Sequence, residues 1–436
     1  MRIRSTFAAS VTLGAVALLT TGCLSSGGGG GGGNSNTSKN IEIMYAFTTD
    51  QETGFKGEVN KWAKDNGVTV KFTQSSDFNS LINTRVQGND APDVALFPQP
   101  GIMKDMADQG LLADLSDIVD KSDLDSLIQG AVETGQVNGK QYAIPMSINV
   151  KSIVFYPKKA AAAAGLTQPP QTLDDLMALS KKIASTGTTP WCFGIESGAA
   201  TGWPATDWVE NLMLINNGSD VYNQWVQHKI PFNDPKVAET LDQMDQLLLA
   251  DGMTNGGRKS IASNNFNTAA NPMFDNPPGC YMYRQGNFVA KSGGFPDKVL
   301  ADLDNTVGVF PMPGKTAEDK PVLGGGDLAG IFSQDNQSAK DLVKFLASKD
   351  YGTNGYAKTG AWISPRTDFD TSQYPTQVLG SIATFAYEST EFVFDGSDQM
   401  PGEVGSGSFW KDMTAWISGQ EDAKTALDNI ESSWPS

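Results

Sequence analysis

The chain has 436 residues, of which 39% are hydrophobic and 19% are charged, and its formal net charge is −17. This acidic balance disfavours nucleic acid and anionic lipid surfaces as partners and suits a neutral or cationic ligand better. Any Ser-His-Asp or Cys-His centre would have to use the single histidine, His228, and the sequence has neither closely spaced zinc ligands nor a phosphate-binding glycine loop with lysine. We therefore expect no catalytic residue, no metal site and no cofactor. A glycosidase needs only two carboxylates, so that class stays open.

The amino terminus has the layout of a secretory signal over residues 1–22. Arg2 and Arg4 precede a mostly apolar segment, 7–19, which is followed by the small residues 20–22. The apolar segment has about 13 residues, fewer than the roughly 20 that a membrane-spanning helix needs. We expect the signal to be removed on export.

Cys23 follows this segment directly and resembles the lipidated cysteine of a bacterial lipobox, although Thr20 stands where that pattern prefers leucine. The resemblance implies a lipid anchor on the extracytoplasmic face of the cell membrane, and a secreted chain with an incidental cysteine is the alternative. Residues 23–40 are rich in glycine and polar side chains that bury no apolar surface, which predicts a flexible tether. The folded body is expected to begin at Ile41.

Strands and helices alternate at the start of the body. Residues 41–47, 68–72 and 93–97 read as strands, and residues 55–65 read as a helix between the first two. This alternation predicts an α/β fold with a largely parallel sheet.

The extended stretch 142–156 is long enough to leave one lobe near residues 147–149 and enter a second. Thr172 reads as the N-cap of an amphipathic helix, and 305–314 reads as a strand that crosses back. Two lobes joined by several crossings predict a hinge. The expected segments are 41–148 in lobe 1, 149–308 in lobe 2, 309–365 in lobe 1 again, and 366–436 in lobe 2 again.

Two further cysteines, Cys192 and Cys280, form an even pair in a chain expected to be exported, so only one internal connectivity exists. We expect a disulfide between them, and two separate buried thiols are the alternative.

Aromatic and acidic residues are concentrated in the segment TGWPATDWVENLM, residues 201–213. An indole can cover the apolar face of a pyranose while a carboxylate accepts hydrogen bonds from its hydroxyls, so this combination is typical of carbohydrate recognition. Trp203 precedes a proline in a loop and favours this reading, whereas Trp208 could equally belong to the core. Asp77, Arg284 and Gln285 add polar groups from other segments.

Several segments resemble the extracellular solute-binding proteins of carbohydrate ABC transporters, above all the α-glucoside-binding branch. They are SSDFNSLINTRVQGNDAPDVALFPQPG, PWCFGIESGAATGWPATDWVENLML, PPGCYMYRQGNF, VLGGGDLAGIF and GSGSFWKDMTAWISGQEDAKTALDNI. The resemblance implies a two-lobed, type II periplasmic-binding-protein-like α/β fold whose ligand cleft closes by a hinge. The expected sugar-binding residues are Asp50, Gln51, Asp77, Gln99, Trp203, Asp207, Trp208, Arg284, Gln285, Asp327, Trp362 and Trp410.

The function expected from this resemblance is that of a non-enzymatic, monomeric receptor. It would capture an α-glucoside, a disaccharide or short oligosaccharide such as maltose, trehalose or sucrose, and deliver it to the transmembrane subunits of an ABC importer. Its only contact with the membrane itself would be the lipid anchor. An extracellular glycoside hydrolase and a sugar-binding adhesin or sensor that feeds no permease are the alternatives.

Overall fold

The computed structural model of the chain describes residues 39–291 and 293–435. The predicted signal 1–22, the lipobox cysteine Cys23 and nearly all of the tether lie outside the described residues. Among the residues that are described, no helix combines the length and the apolar character needed to cross a membrane.

The described residues form strands and α-helices in alternation along much of the chain. The strands are β1 (Asn40–Tyr45), β2 (Thr69–Gln74), β3 (Val94–Phe97), β4 (Gln136–Val137), β5 (Lys140–Gln141), β6 (Ala143–Val150), β7 (Ile153–Pro157), β8 (Tyr283–Gln285), β9 (Val307–Pro311), β10 (Pro321–Ile331) and β11 (Glu391–Phe394). The helices are α1 (Thr49–Asn66), α2 (Phe78–Gln87), α3 (Pro100–Asp108), α4 (Lys121–Asp125), α5 (Gln129–Thr134), α6 (Lys158–Ala163), α7 (Leu173–Ala184), α8 (Trp203–Val226), α9 (Pro235–Met244), α10 (Arg258–Ile261), α11 (Asp297–Leu300), α12 (Leu303–Thr306), α13 (Gln337–Ala347), α14 (Gln377–Tyr387), α15 (Trp410–Ile417) and α16 (Ala423–Ser432).

Local sequence explains how the helices near the site begin. Thr172 caps α7 as predicted: its hydroxyl accepts from the backbone N–H of Asp175 at 3.1 Å, and the Asp175 carboxylate accepts from the backbone N–H of Thr172 at 3.1 Å. Helix α8 starts after Gly202, whose φ of 117° is in the region that favours glycine. A Cβ there would also come within 2.4 Å of the carbonyl oxygen of Trp410, so α8 can approach α15 closely only with glycine at this position.

The larger sheet has six strands, in the order β11-β10-β3-β1-β2, with β6 paired to β10. The pairs β1–β2, β1–β3 and β10–β11 are parallel, whereas β10 runs antiparallel to both β3 and β6. The expectation of a largely parallel sheet is therefore wrong for the two pairs that β10 makes with β3 and with β6. The reason is that β10 follows the second sheet in the chain and enters the larger sheet in the direction opposite to β3.

The smaller sheet is antiparallel, in the order β8-β7-β9. Only Lys151 and Ser152 separate β6 in the larger sheet from β7 in the smaller one, and residues 312–320 lead from β9 back to β10. The predicted strands at 142–156 and 305–314 are thus confirmed, and each adjoins a crossing between the two sheets. Strand β11 joins the larger sheet, although it falls within 366–436, which was expected in lobe 2. The lobe boundaries otherwise stay a prediction.

The strand β7 contributes to two cores because successive side chains point to opposite faces of a sheet. Val154 packs with the core that contains Trp208 and Trp225, whereas Ile153 and Phe155 belong to the core that extends into the larger sheet. The predicted disulfide is confirmed: Cys192, which precedes α8, is bonded to Cys280, which precedes β8. It ties the smaller sheet to the segment that leads into α8.

Candidate functional site

Two adjoining cavities lie beside the crossing from β6 to β7. Their volumes are about 440 Å³ and about 500 Å³, and both are lined by Gln51 and Asn149. Gln51 lies in the first turn of α1, and Asn149 is the second-last residue of β6. We refer to the two cavities as the polar cavity and the aromatic cavity, according to the side chains that line them, and to both together as the cleft.

The polar cavity is lined by side chains from segments that follow strands of the larger sheet. Asp77 precedes α2, Asn79 lies in its first turn, and Gln99 precedes α3. The amide of Asn79 donates to the side-chain oxygen of Gln99, and Gln99 Nε2 donates to Asp398 Oδ1 at 3.1 Å. The cavity therefore presents carboxylates and amides, the groups that accept from and donate to hydroxyls.

Two carboxyl groups of the polar cavity have altered acidity. Burial raises the pKa of Asp327 to about 6, although Ser147 Oγ donates to its Oδ2 at 2.6 Å. Burial and the nearby charge of Asp395 raise the pKa of Asp398 to about 7. Near neutral pH both groups can thus exchange a proton, and each can donate a hydrogen bond when it is protonated.

The aromatic cavity is walled by Phe266 and Phe288 and has Lys291 and Asp50 near its polar edge. Trp203 packs edge-on against both phenylalanines, with ring centroids 4.8 Å from Phe266 and 5.9 Å from Phe288. Trp203 is half-buried and is not among the residues that line the cavity. Its edge-on contacts with both rings restrain their orientation.

A buried ionic cluster lies next to the cleft, centred on Lys151. The Lys151 ammonium donates to Asp207 at 3.1 Å, makes a still shorter contact with Asp395, and stands 5.3 Å from the ring centroid of Trp203. Burial alone would lower the pKa of Lys151, but the charges of Asp207, Asp395 and Asp398 outweigh it and hold the pKa well above its usual value. The lysine is therefore charged, and it links the crossing after β6 to α8 and to the segment after β11.

The carboxylates of this cluster differ in acidity because their contacts differ. Burial raises the pKa of Asp207 to about 6 against the opposing charge of Lys151. Burial also favours the neutral form of Asp395, but the Lys151 ammonium outweighs it and holds the pKa of Asp395 well below its usual range. Arg284 adds a second positive charge, with its guanidinium 3.6 Å from Asp207.

Glu210 completes the cluster. Burial, together with the charge of Asp395, raises its pKa well above the usual value, and its two oxygens accept from the backbone N–H groups of Gly396 and Ser397 at 2.8 and 3.2 Å. Asp207, Glu210 and Asp395 lie close enough together to hold a metal ion. Lys151 already supplies a cation to two of them, so their proximity is explained without a metal.

The expected sugar-binding residues fall into three groups. Five of them line the cleft: Asp50, Gln51, Asp77, Gln99 and Asp327. Three do not line the cleft but belong to the aromatic contacts or the ionic cluster beside it: Trp203, Asp207 and Arg284.

The remaining four, Trp208, Gln285, Trp362 and Trp410, do not line either cavity of the cleft. Trp208 is a core residue that packs edge-on against Trp191 at 5.3 Å. Trp362 stacks on Tyr356 and donates its indole N–H to the carbonyl oxygen of Met146 at 2.9 Å. The presence of a tryptophan in a segment that resembles the family was therefore not enough to predict whether it lines a binding surface or packs in the core.

Sequence reasoning missed eight residues that line the cleft. They are Asn79, Asn149, Lys151, Phe266, Asn287, Phe288, Lys291 and Asp398. One signal was available for two of them, because Asn149 and Lys151 are polar residues inside the otherwise apolar stretch that was predicted to cross between lobes. Asn79, Asn287 and Phe288 lie within segments that resemble the family, but nothing in those segments separated them from their neighbours. Phe266, Lys291 and Asp398 lie outside the quoted segments and carry no pattern of their own.

Comparison with known proteins gives consistent matches. The sequence model described as bacterial extracellular solute-binding protein matches residues 48–353. The chain is 36% identical over 400 residues to the osmoprotective compounds-binding protein GgtB of Synechocystis sp., covering 91% of this chain and 93% of that protein. It is 34% identical over 406 residues to the alpha-glucosides-binding periplasmic protein AglE of Rhizobium meliloti, covering 91% of this chain and 87% of that protein.

Solved structures show the same fold at lower identity. The bacterial solute receptor AcbH, reported with a preference for β-D-galactopyranose, matches with a TM-score of 0.77 at 19% identity, over 90% of this chain and 98% of that one. MalE3 of T. maritima, solved with maltose bound, matches with a TM-score of 0.65 at 19% identity, over 90% and 98% of the two chains. The two-lobed type II architecture expected from the sequence is thereby confirmed.

Proposed function

This chain belongs to the bacterial extracellular solute-binding proteins, and from that premise we propose that it captures a small α-glucoside in the cleft and delivers it to an ABC importer. The observation that carries the proposal is the pairing of a polar cavity with an aromatic-walled cavity through Gln51 and Asn149. Sugars present hydroxyls and apolar C–H faces, and the two cavities offer matching surfaces for both. The 34% identity to an alpha-glucosides-binding protein supports this ligand class.

Binding would be selective because the cleft contains buried polar groups. When the cleft closes, Asp327 and Gln99 lose their hydrogen bonds to water, and a ligand hydroxyl that contacts them replaces those bonds. A ligand without that hydroxyl leaves these polar groups without a hydrogen-bond partner, which costs about 1–3 kcal/mol per group. Closure over the ligand would be a population shift toward the state that the ligand binds better.

The direct test is calorimetric titration of the protein with maltose, trehalose and sucrose. Asn149→Ala serves as the cleft variant, because Asn149 lines both cavities. Asn66→Ala serves as the matched control, because its amide is exposed at the end of α1. We expect at least one sugar to bind the wild type and the Asn66 variant equally and the Asn149 variant more weakly. Equal affinities in all three proteins would refute the cleft as the binding site.

Osmoprotective compounds are a second candidate ligand class, favoured by the 36% identity to a protein that is named for binding them. Glycine betaine, a zwitterionic osmoprotectant that is not a sugar, is the probe that separates non-sugar osmoprotectants from sugars in the same titration. Binding of betaine without binding of any of the three sugars would replace the α-glucoside proposal.

Two assays distinguish a transport receptor from the alternatives: one detects the product of a hydrolase, and the other detects the permease partner that an adhesin or sensor lacks. A receptor returns each sugar unchanged after prolonged incubation, whereas a hydrolase releases glucose, which a chromatographic assay detects. An adhesin or sensor would not stimulate the ATPase of a reconstituted ABC permease, whereas a transport receptor with bound sugar would stimulate its own permease.

We also propose that the mature chain is a monomer anchored through a lipid on Cys23, with 1–22 as the signal and 23–40 as the tether. The position of Cys23 directly after an apolar segment supports this arrangement. Cys23→Ser should release the protein into the medium, which fractionation of the cells would detect. Retention of that variant in the membrane fraction would refute the anchor.

A further inference from the structure

A third cavity of about 460 Å³ lies on the far side of the polar cavity. Asn79, Gln99 and Asp398 line both cavities, so these three side chains stand between them. Beyond them the third cavity is lined by apolar as well as polar residues, among them Ile102 and Met400. It is similar in size to each cavity of the cleft and adjoins the polar cavity at this group of three side chains, which we call the partition.

The partition is held together by hydrogen bonds between side chains. Asn79 Nδ2 donates to Gln99 Oε1, and Gln99 Nε2 donates to Asp398 Oδ1 at 3.1 Å. Asp398 is in turn fixed by its backbone N–H, which donates to Asp395 Oδ1 at 3.1 Å. Each member comes from a different segment, since Asn79 lies in α2, Gln99 precedes α3 and Asp398 follows β11.

The partition also holds an unused hydrogen-bonding atom. Asn79 Oδ1 is buried, and within the described part of the chain no donor reaches it. A buried acceptor without a donor is costly unless a ligand or water supplies one. A ligand hydroxyl that reaches the partition would supply that donor.

We propose that the Asn79–Gln99–Asp398 partition is the end wall of the ligand cleft and that it limits the length of the sugar. The inference rests on the proposed function. The terminal ring of the ligand abuts the partition, with Asn79 Oδ1 and Asp398 as its partners, and a further ring at that end is excluded from the third cavity. Removing the partition joins the polar cavity to the third cavity and makes room for that ring.

The same three residues could act as a latch between chain segments, and a latch would give a different result when it is removed. Because Asp398 and Gln99 come from segments that follow different strands, their hydrogen bond could instead stabilise one relative position of those segments, whatever the ligand. Loss of such a latch changes the affinity for every ligand by the same factor. Loss of an end wall changes the affinity for long ligands relative to short ones.

The experiment measures the ratio of the dissociation constants for maltotriose and maltose, by calorimetry, in the wild type and four variants. Gln99→Ala and Asp398→Ala open the partition. Asp398→Asn keeps an oxygen that can accept from Gln99 and is the conservative counterpart. Gln109→Ala removes the same amide from the exposed end of α3 and is the matched control.

We expect the maltotriose-to-maltose ratio to fall by about tenfold in both alanine variants, the effect of one or two net hydrogen bonds gained by the added ring. The ratio should stay at the wild-type value in Gln109→Ala and return toward it in Asp398→Asn. An unchanged ratio in a folded Gln99→Ala protein, including one in which both affinities change together, would overturn the proposal. Failure of the wild type to bind either maltose or maltotriose would overturn this inference, and failure to bind trehalose and sucrose as well would refute the proposed function on which it rests.

Discussion

Replacing Lys151 by methionine tests whether the ionic cluster stabilises the protein as its geometry indicates. The Lys151 side chain is 12% exposed, and its partners Asp207 and Asp395 are 0% and 3% exposed. Methionine keeps most of the aliphatic volume but removes the charge, which leaves two buried carboxylates without their nearest cation. Removing one partner of a buried ion pair typically costs about 3–5 kcal/mol, so we expect the free energy of unfolding to fall by that amount near neutral pH.

The cost should depend on pH in a defined direction. In the wild type the Lys151 ammonium holds the pKa of Asp395 well below its usual range. Without it, burial raises the pKa of this carboxyl above its unfolded value, so the folded variant binds a proton that the unfolded chain releases. Stability of the variant is then greater at low pH and is lost as the pH rises, by up to about 1.4 kcal/mol per pH unit for one such proton. The difference between variant and wild type should therefore be smaller at pH 5 than at pH 8.

Urea denaturation followed by tryptophan fluorescence, without sugar, at pH 5, 6.5 and 8 measures this difference. Lys104→Met is the matched control, because Lys104 is also partly buried, but its ammonium donates to the neutral amide of Gln399 at 3.3 Å. Burial lowers the pKa of Lys104, so its charge is not stabilised by its surroundings. We expect the control to change the free energy of unfolding by less than about 1 kcal/mol. Equal losses in the two variants, or a loss in Lys151→Met that does not vary with pH, would refute the reasoning.

Three further changes test the wall, the disulfide and a buried acid. Trp203→Ala removes the ring that contacts Phe266 and Phe288 edge-on, and we expect sugar affinity to fall about 5–150-fold in calorimetry because the aromatic wall loses its fixed orientation. Unchanged affinity in a folded variant would exclude that role. The double substitution Cys192→Ser and Cys280→Ser removes the disulfide that closes a loop of 88 residues. The loss of this constraint on the unfolded chain should lower the free energy of unfolding by about 4–5 kcal/mol. A loss below about 1 kcal/mol in urea denaturation would contradict this expectation. Burial raises the pKa of Asp327 to about 6, above its unfolded value, so this group favours folding below its unfolded pKa and the benefit is lost as pH rises through 6. Asp327→Asn should therefore remove about 2–3 kcal/mol of pH-dependent stability between pH 4 and 7, and an unaltered pH profile would refute that assignment.

Elements with a local physical cause were predictable from the sequence. The helix after Thr172 was identified because the capping residue and the apolar spacing lie within one short segment, and the structure has both. The stretch 142–156 was identified as extended and as crossing between lobes because of its length, but the structure divides it into β6 and β7 and places the break at Lys151 and Ser152, two residues beyond the predicted 147–149. The direction of β10 was not predictable, since it depends on which edge of the larger sheet the chain reaches after it leaves the smaller sheet, and no local pattern encodes that.

The prediction of site residues likewise succeeded where the cause is local in the sequence and failed where it is not. Asp77 and Gln99 directly precede helices that follow strands, where a polar side chain is expected at the edge of an α/β sheet, and both line the cleft. The tryptophans predicted the site less well, because an indole in a segment that resembles the family can pack in the hydrophobic core as readily as it can stack on a sugar. Trp362 is 2% exposed and Trp208 is 2% exposed, so neither can offer a face to a ligand in this state.

Lys151 shows why the centre of the site escapes sequence reasoning. Its carboxylate partners lie 56 and 244 residues further along the chain, so nothing near it in the sequence predicts a buried charge. Burying an unpaired ammonium is prohibitively costly, so the lysine can occupy the crossing between the sheets only once α8 and the segment after β11 have brought Asp207 and Asp395 to it. Because Lys151 needs these carboxylates, the contacts that build the aromatic wall begin at the ionic cluster. The cluster fixes Lys151 directly beneath the ring of Trp203, Trp203 holds Phe266 and Phe288, and those rings form the wall of the aromatic cavity. Lys151 itself lines the polar cavity, but the groups that hold it in place, such as Asp207 and its partner Arg284, are buried and do not line the cleft, although they resemble binding groups in the sequence.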